Sequence, residues 1–159
     1  MRKIGITILS IFIFFACEKE EEYPVIPEID FTSFNVIPGD GQSTIAEGIL
    51  VFSFVDGDGN IGFFGNDTSA NPNFDVFITE FTKRNSTFEY YREHRYWLPY
   101  FEEGIYRKSI KGSIDIYLPR TILSPDTVYY EFYITDRDGN ESNVETTPEI
   151  IYSERIEQL

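Results

Sequence analysis

Short runs of aromatic and β-branched residues, each ended by a turn-forming cluster, recur along this chain, and no helical periodicity lasts beyond two turns. Residues 49–55 (ILVFSFV) are nearly continuously apolar, the pattern of a central strand buried on both faces. Residues 113–118 (SIDIYL) alternate, with Ile114, Ile116 and Leu118 on one face. Residues 74–82 (FDVFITEFT) and 128–135 (VYYEFYIT) are strand-like with mixed alternation, and residues 29–37 place apolar points at Ile29, Phe31, Phe34 and Ile37. The punctuation is Pro38-Gly39-Asp40-Gly41, Asp56 to Asn60, Lys83 to Ser86 and Asp136 to Asn140, after which a final strand starts near Ser142. Residues 88–101 are aromatic-rich and interrupted by Pro99. About seven strands so punctuated predict an all-β sandwich, and 15 Phe and 11 Tyr suit one. Cys17 is the only cysteine, so a hydrophobic core must hold the domain without an intrachain disulfide.

That cysteine closes a distinctive start. Met1-Arg2-Lys3 is basic, and residues 4–16 carry no charge. A basic n-region, an apolar h-region and Ala16 at the boundary predict a secretory signal peptide over residues 1–16. The run is too short to span a bilayer, which takes about 20 apolar residues. Phe14-Phe15-Ala16-Cys17 resembles the lipobox of bacterial lipoproteins, with Phe where that box prefers Leu and a small residue. The resemblance implies lipidation of Cys17, and several acyl chains together anchor a protein stably. Glu18-Lys19-Glu20-Glu21-Glu22 resembles the surface-export signal of Bacteroidetes-type lipoproteins, and it also serves as a charged, solvated tether. With Pro24 and Pro27 it makes residues 17–28 a tether and leaves 29–159 for the sandwich.

Leu123-Ser124-Pro125-Asp126-Thr127-Val128-Tyr129 resembles the L-x-P-x-T-x-Y signature of fibronectin type III domains. The resemblance implies an immunoglobulin/fibronectin type III-like sandwich with an E–F corner here, and makes Tyr129 its structural tyrosine corner. Asp136 to Ser142 (DRDGNES) resembles the F–G turn of such modules. Residues 88–112 exceed the family's C′–E connection and are expected to form an extra hairpin insertion. The stretches FVDGDGNIG and DRDGNESN also resemble uncharacterised Bacteroidetes-type lipoproteins.

Two acidic turns repeat a pattern, Asp56-x-Asp58-Gly59-Asn60 and Asp136-x-Asp138-Gly139-Asn140. Alternate oxygen ligands with a Gly bend are how calcium loops wrap a hard cation, so these six Asp and Asn residues are candidate Ca2+ ligands. Position six holds Ile61 and Glu141, so neither loop is an EF-hand. Plain turn chemistry explains the same dipeptides, Asp-Gly and Gly-Asn being favoured in hairpins. In an immunoglobulin-like topology the B–C and F–G loops lie at one end, where the two turns can share one cation.

Tyr91, Tyr96, Trp97 and Tyr100, beside Arg92, Glu93 and Arg95, are candidate ligand-binding aromatics for sugar rings. The alternative is that they pack ordinary strand surface. His94 is the sole histidine, and no second cysteine or G-x-S-x-G appears, so the usual nucleophile and His-metal arrangements are missing. The net charge of −14 becomes −16 once residues 1–16 are removed, since Arg2 and Lys3 are their only charges. Such a surface repels phosphate backbones and disfavours nucleic acid as a partner. The expectation is a non-enzymatic, surface-exposed outer-membrane lipoprotein acting as a binding or structural module. A glycan-binding lipoprotein and an accessory subunit of an outer-membrane complex, with a protein partner, are the alternatives.

Overall fold

A computed structural model of the chain describes residues 22–39, 46–62, 74–99 and 109–156. The signal segment, Cys17 and Tyr100 lie outside the described residues. Six long strands follow in order: β1 (Glu28–Pro38), β2 (Ala46–Asp56), β3 (Val76–Arg84), β4 (Thr87–Tyr96), β5 (Ile110–Arg120) and β6 (Thr127–Ile134). Two short ones, β7 (Glu145–Thr146) and β8 (Ile150–Ile151), precede a one-turn helix α1 (Tyr152–Ile156). The strands pair antiparallel in two sheets, β1-β2-β5 and β4-β3-β6-β7, with β8 also on β6. This is the all-β sandwich that the strand runs predict.

Strand parity decides what each sheet buries. In β2, Ala46, Leu50, Phe52, Phe54 and Asp56 are buried, while Ile49, Val51, Ser53 and Val55 between them are half-buried. Residues 49–55 are therefore central in their sheet, between β1 and β5, but fully buried on one face only. The buried faces of β3 (Val76, Ile78) and β6 (Val128, Tyr130, Phe132, Ile134) join the same core. Phe52 meets Phe132 at 5.1 Å between centroids, and Phe34 stacks on Tyr130 at 5.5 Å. In β1 a bulge between Phe31 and Ser33 shifts the register, so that Ile29 and Phe34 are both buried despite their odd spacing. Ile37, an expected apolar point, is consequently exposed, and Val36 is buried instead.

The last lane is broken rather than continuous. Between β7 and β8, the Thr147 backbone N–H donates to the Tyr130 carbonyl at 2.9 Å, and its hydroxyl accepts the Tyr130 N–H at 3.0 Å. The side chain thus replaces a ladder bond next to Pro148, which has no N–H to offer.

Of the region 88–112 expected as an inserted hairpin, the part up to Tyr96 belongs to the edge strand β4 of the larger sheet, joined to β3 by a two-residue turn at Asn85-Ser86, both at positive φ, and residues 100–108 lie outside the described residues. Tyr129, the expected tyrosine corner, is half-buried. It lies on the outer face, stacked on Phe81 at 4.7 Å and set edge-on to Phe88 at 4.8 Å. The buried tyrosine is Tyr130, whose hydroxyl meets that of Tyr152 at 3.1 Å and Arg120 Nη1 at 3.3 Å. Parity is the reason: Tyr129, Glu131 and Tyr133 are half-buried and alternate with buried Tyr130, Phe132 and Ile134.

Candidate functional site

The acidic turns end adjacent lanes of the two sheets. β2 closes at Asp56, and β6 closes at Ile134 just before Asp136, so both loops emerge at one end of the sandwich. Each bends through a glycine, Gly59 at φ 71° and Gly139 at φ 84°, where a side chain would be strained. Within the first loop the Asn60 N–H donates to Asp56 Oδ2 at 2.9 Å. Within the second, the Asn140 N–H and Nδ2 donate to the two oxygens of Asp136 at 2.8 and 2.7 Å. The repeated Asp-to-Asn spacing is therefore turn chemistry in both loops, as the plainer reading expects.

The loops also reach each other. Asn60 Nδ2 donates to Asp58 at 3.2 Å and across to Asp138 at 3.1 Å, and the Arg137 N–H donates to the Asn60 carbonyl at 3.1 Å. Asp56, Asp58 and Asp136 each bring a carboxylate oxygen within 4.8 Å of the others. Asp56 is fully buried and Asp136 nearly so. Burial, and then the charge of Asp58, push the Asp56 carboxyl up to about 6, against the pull of the Asn60 N–H. Four buried oxygens at this end have no hydrogen-bond partner: Asp56 Oδ1, Asp58 Oδ1, Asn60 Oδ1 and Asp75 Oδ1. Each such group costs about 1–3 kcal/mol. Of the six candidate ligands, five converge here, while both side-chain oxygens of Asp136 and the amide of Asn140 bond each other.

Asp75 belongs to the same end and was not legible as a site residue. It immediately precedes β3; its carbonyl accepts the Thr135 N–H at 2.8 Å, and its Oδ2 accepts the Leu98 N–H at 2.7 Å. Burial raises its carboxyl to about 6, although the Leu98 N–H and the charge of Arg137 work the other way.

A second polar cluster, also absent from the sequence reading, lies inside the sandwich. Glu80 of β3 is fully buried and accepts from Arg120 of β5, and from Arg92 Nε at 2.8 Å and His94 Nε2 at 2.9 Å on β4. Burial would raise its carboxyl, but the His94, Arg120 and Arg92 donors outweigh this and hold it down to about 2. Arg120 also reaches the Pro125 carbonyl and sits 4.4 Å from the Tyr152 ring centre. The sequence signal for it is Glu80 two residues after Ile78, at the parity of Val76 and Ile78.

Among the described residues, Tyr91, Tyr96 and Trp97 do not form one platform. Tyr96 is half-buried against the core, and its hydroxyl donates to the Tyr117 carbonyl of β5 at 2.9 Å. Tyr91 sits at the β3–β4 register shift with Arg92 at 5.3 Å from its ring centre, and Trp97 is 66 % exposed beyond the strand end. Arg92 and His94 turn inward to Glu80.

Among the described residues no helix is long and apolar enough to cross a membrane. The site and fold define an antiparallel two-sheet sandwich with an acidic loop pair at one end. The chain matches no protein-family model, no curated protein and no solved structure.

Proposed function

We propose that this chain is a lipid-anchored cell-surface module of the outer membrane, held by acylated Cys17, whose sandwich binds or braces a partner without catalysing a reaction. The observation that carries it is the junction. The basic, apolar and acidic segments up to Glu22 lead straight into the fold: the Gly57 N–H donates to the Pro24 carbonyl at 2.7 Å, and β1 starts at Glu28. A sandwich that begins within a few residues of a tether is suited to display at a membrane surface. The fibronectin type III-like reading draws support from the strand order, three lanes (β1-β2-β5) against four (β4-β3-β6-β7). The non-catalytic reading draws support from Glu80, a perturbed carboxylate whose oxygens are taken up by Arg120, Arg92 and His94.

Labelled palmitate fed to cells making the full chain should enter the protein, and Cys17→Ser should abolish the label. Protease added to intact cells should then remove the sandwich. An unlabelled wild-type chain would sink the anchor, and a labelled but protease-protected sandwich would place it on the inner leaflet.

A further inference from the structure

We propose that Asp56, Asp58 and Asp136, with the Asn60 amide oxygen that Asp138 helps to position, form a calcium-type cation site that fastens residues 23–24 to the sandwich. The inference does not depend on lipidation. Calcium takes oxygen ligands at about 2.3–2.6 Å, so two ligands of one ion lie at most about 5 Å apart. The three carboxylate oxygens, within 4.8 Å of one another, meet that limit.

An independent observation comes from Asn60. It is only 8 % exposed, and its Nδ2 bridges Asp58 and Asp138, yet its Oδ1 has no partner. Asp56, fully buried, likewise leaves Oδ1 without a partner. An amide oxygen and a carboxylate oxygen buried together, with no donor to either, are an acceptor set awaiting a cation. Oxygen ligands alone favour a hard ion, and four side chains on two turns suit the loose geometry of calcium better than the strict octahedron of magnesium.

The link to residues 23–24 runs through Gly57 and one backbone hydrogen bond. Gly57 stands between two of the ligands, Asp56 and Asp58, and its N–H holds the Pro24 carbonyl. A Cβ at residue 57 would run into the backbone of Tyr23 and Pro24. An ion on Asp56 and Asp58 therefore sets the bend on which residues 23–24 rest, and pins the direction in which the tether leaves the domain.

The test uses the full chain in detergent, stripped with EDTA and titrated with calcium chloride. The expected result is one calcium per chain, bound in the range of extracellular modules, about 0.1–1 mM. The melting temperature should climb with calcium, since the ion binds the folded state. Asp136→Asn and the more accessible Asp58→Asn should each weaken binding at least about tenfold. Asp115→Asn, an exposed acid on β5, should leave it unchanged. Calcium should also slow protease cleavage within residues 22–28. No binding heat and no melting shift at roughly 10 mM calcium, well above the expected range, would overturn the site. So would an equal loss in Asp115→Asn, which would mark diffuse charge. Binding with unchanged tether cleavage in the wild type would overturn the fastening.

Discussion

Glu80 lies with its carboxylate wholly inside the sandwich, where burial favours the neutral form and three nitrogen donors favour the charged one. The donors prevail. Truncating it as Glu80→Ala strands the Arg120 guanidinium, itself 1 % exposed, and should cost about 3–5 kcal/mol in urea denaturation. Arg92→Ala removes a donor that is 39 % exposed and should cost about 1 kcal/mol or less. The same carboxylate sets an acid limb. Its folded-state pKa, about 2, lies below the ordinary 4.5, so its contribution is present above pH 4.5 and lost as pH falls towards 2. The difference is worth about 3 kcal/mol of stability. The groups facing it are Arg92, His94, Arg120 and, through Arg120, Tyr130 and Tyr152. Melting curves of Glu80→Gln should accordingly be flatter than wild type across this window; an unchanged acid limb would mean that other carboxylates govern it.

Strand β2 shows what an element requires of its neighbours. Gly48 faces the core, and a Cβ there would collide with the Phe34 ring tip and the Tyr152 hydroxyl. Neither can withdraw, because Phe34 is stacked on Tyr130 and set edge-on to Tyr152 at 6.0 Å. Gly48→Ala should therefore destabilise by about 1–3 kcal/mol through overpacking. Gly112→Ala, whose Cβ would meet Phe54 at 3.1 Å, should cost less; equal losses in chemical denaturation would contradict the packing argument. Element positions were legible because runs such as 49–55 and 113–118 sit between strong turn signals. Which face each run buries was less so. In VYYEFYIT both parities carry aromatics, and the only charge, Glu131, marks the outer face that Tyr129 shares. The bulges at Phe31/Ser33 and Glu80/Phe81 shift parity with no turn residue to announce them, so the inward face of β4 that carries Arg92 and His94 has no sequence signal. Helix α1 spans one turn, too short to hold alone. It depends on Asp126, which accepts the Ser153 N–H and hydroxyl at 2.8 and 2.9 Å, and one turn leaves no periodicity to read.

At the scale of the whole molecule the two ends differ. One gathers Pro24, Asp56, Asp58, Asp75, Asp136 and Asp138, and the other exposes Ile122 and Leu123 beside the Arg120 corner. The meeting of the two DxDGN turns followed from strand order alone, since the exits of β2 and β6 share an end in any sandwich of this topology. The partnerless Asn60 oxygen has no sequence signature, because the Asn60 amide is committed to two carboxylates, one of them 78 residues away. A chain of net charge −14 invites the simpler thought that any cation would help by screening. Salt separates the two effects. At about 1 M sodium chloride the Debye length is roughly 3 Å, so general repulsion between surface carboxylates is largely screened. Coordination at about 2.4 Å is a contact that screening does not erase. Sodium chloride alone should raise the melting temperature gradually without saturating, and calcium added at about 1 M salt should still give a saturating rise that Asp58→Asn removes. If high salt abolishes the calcium response in wild type, the acidic end is a field rather than a site.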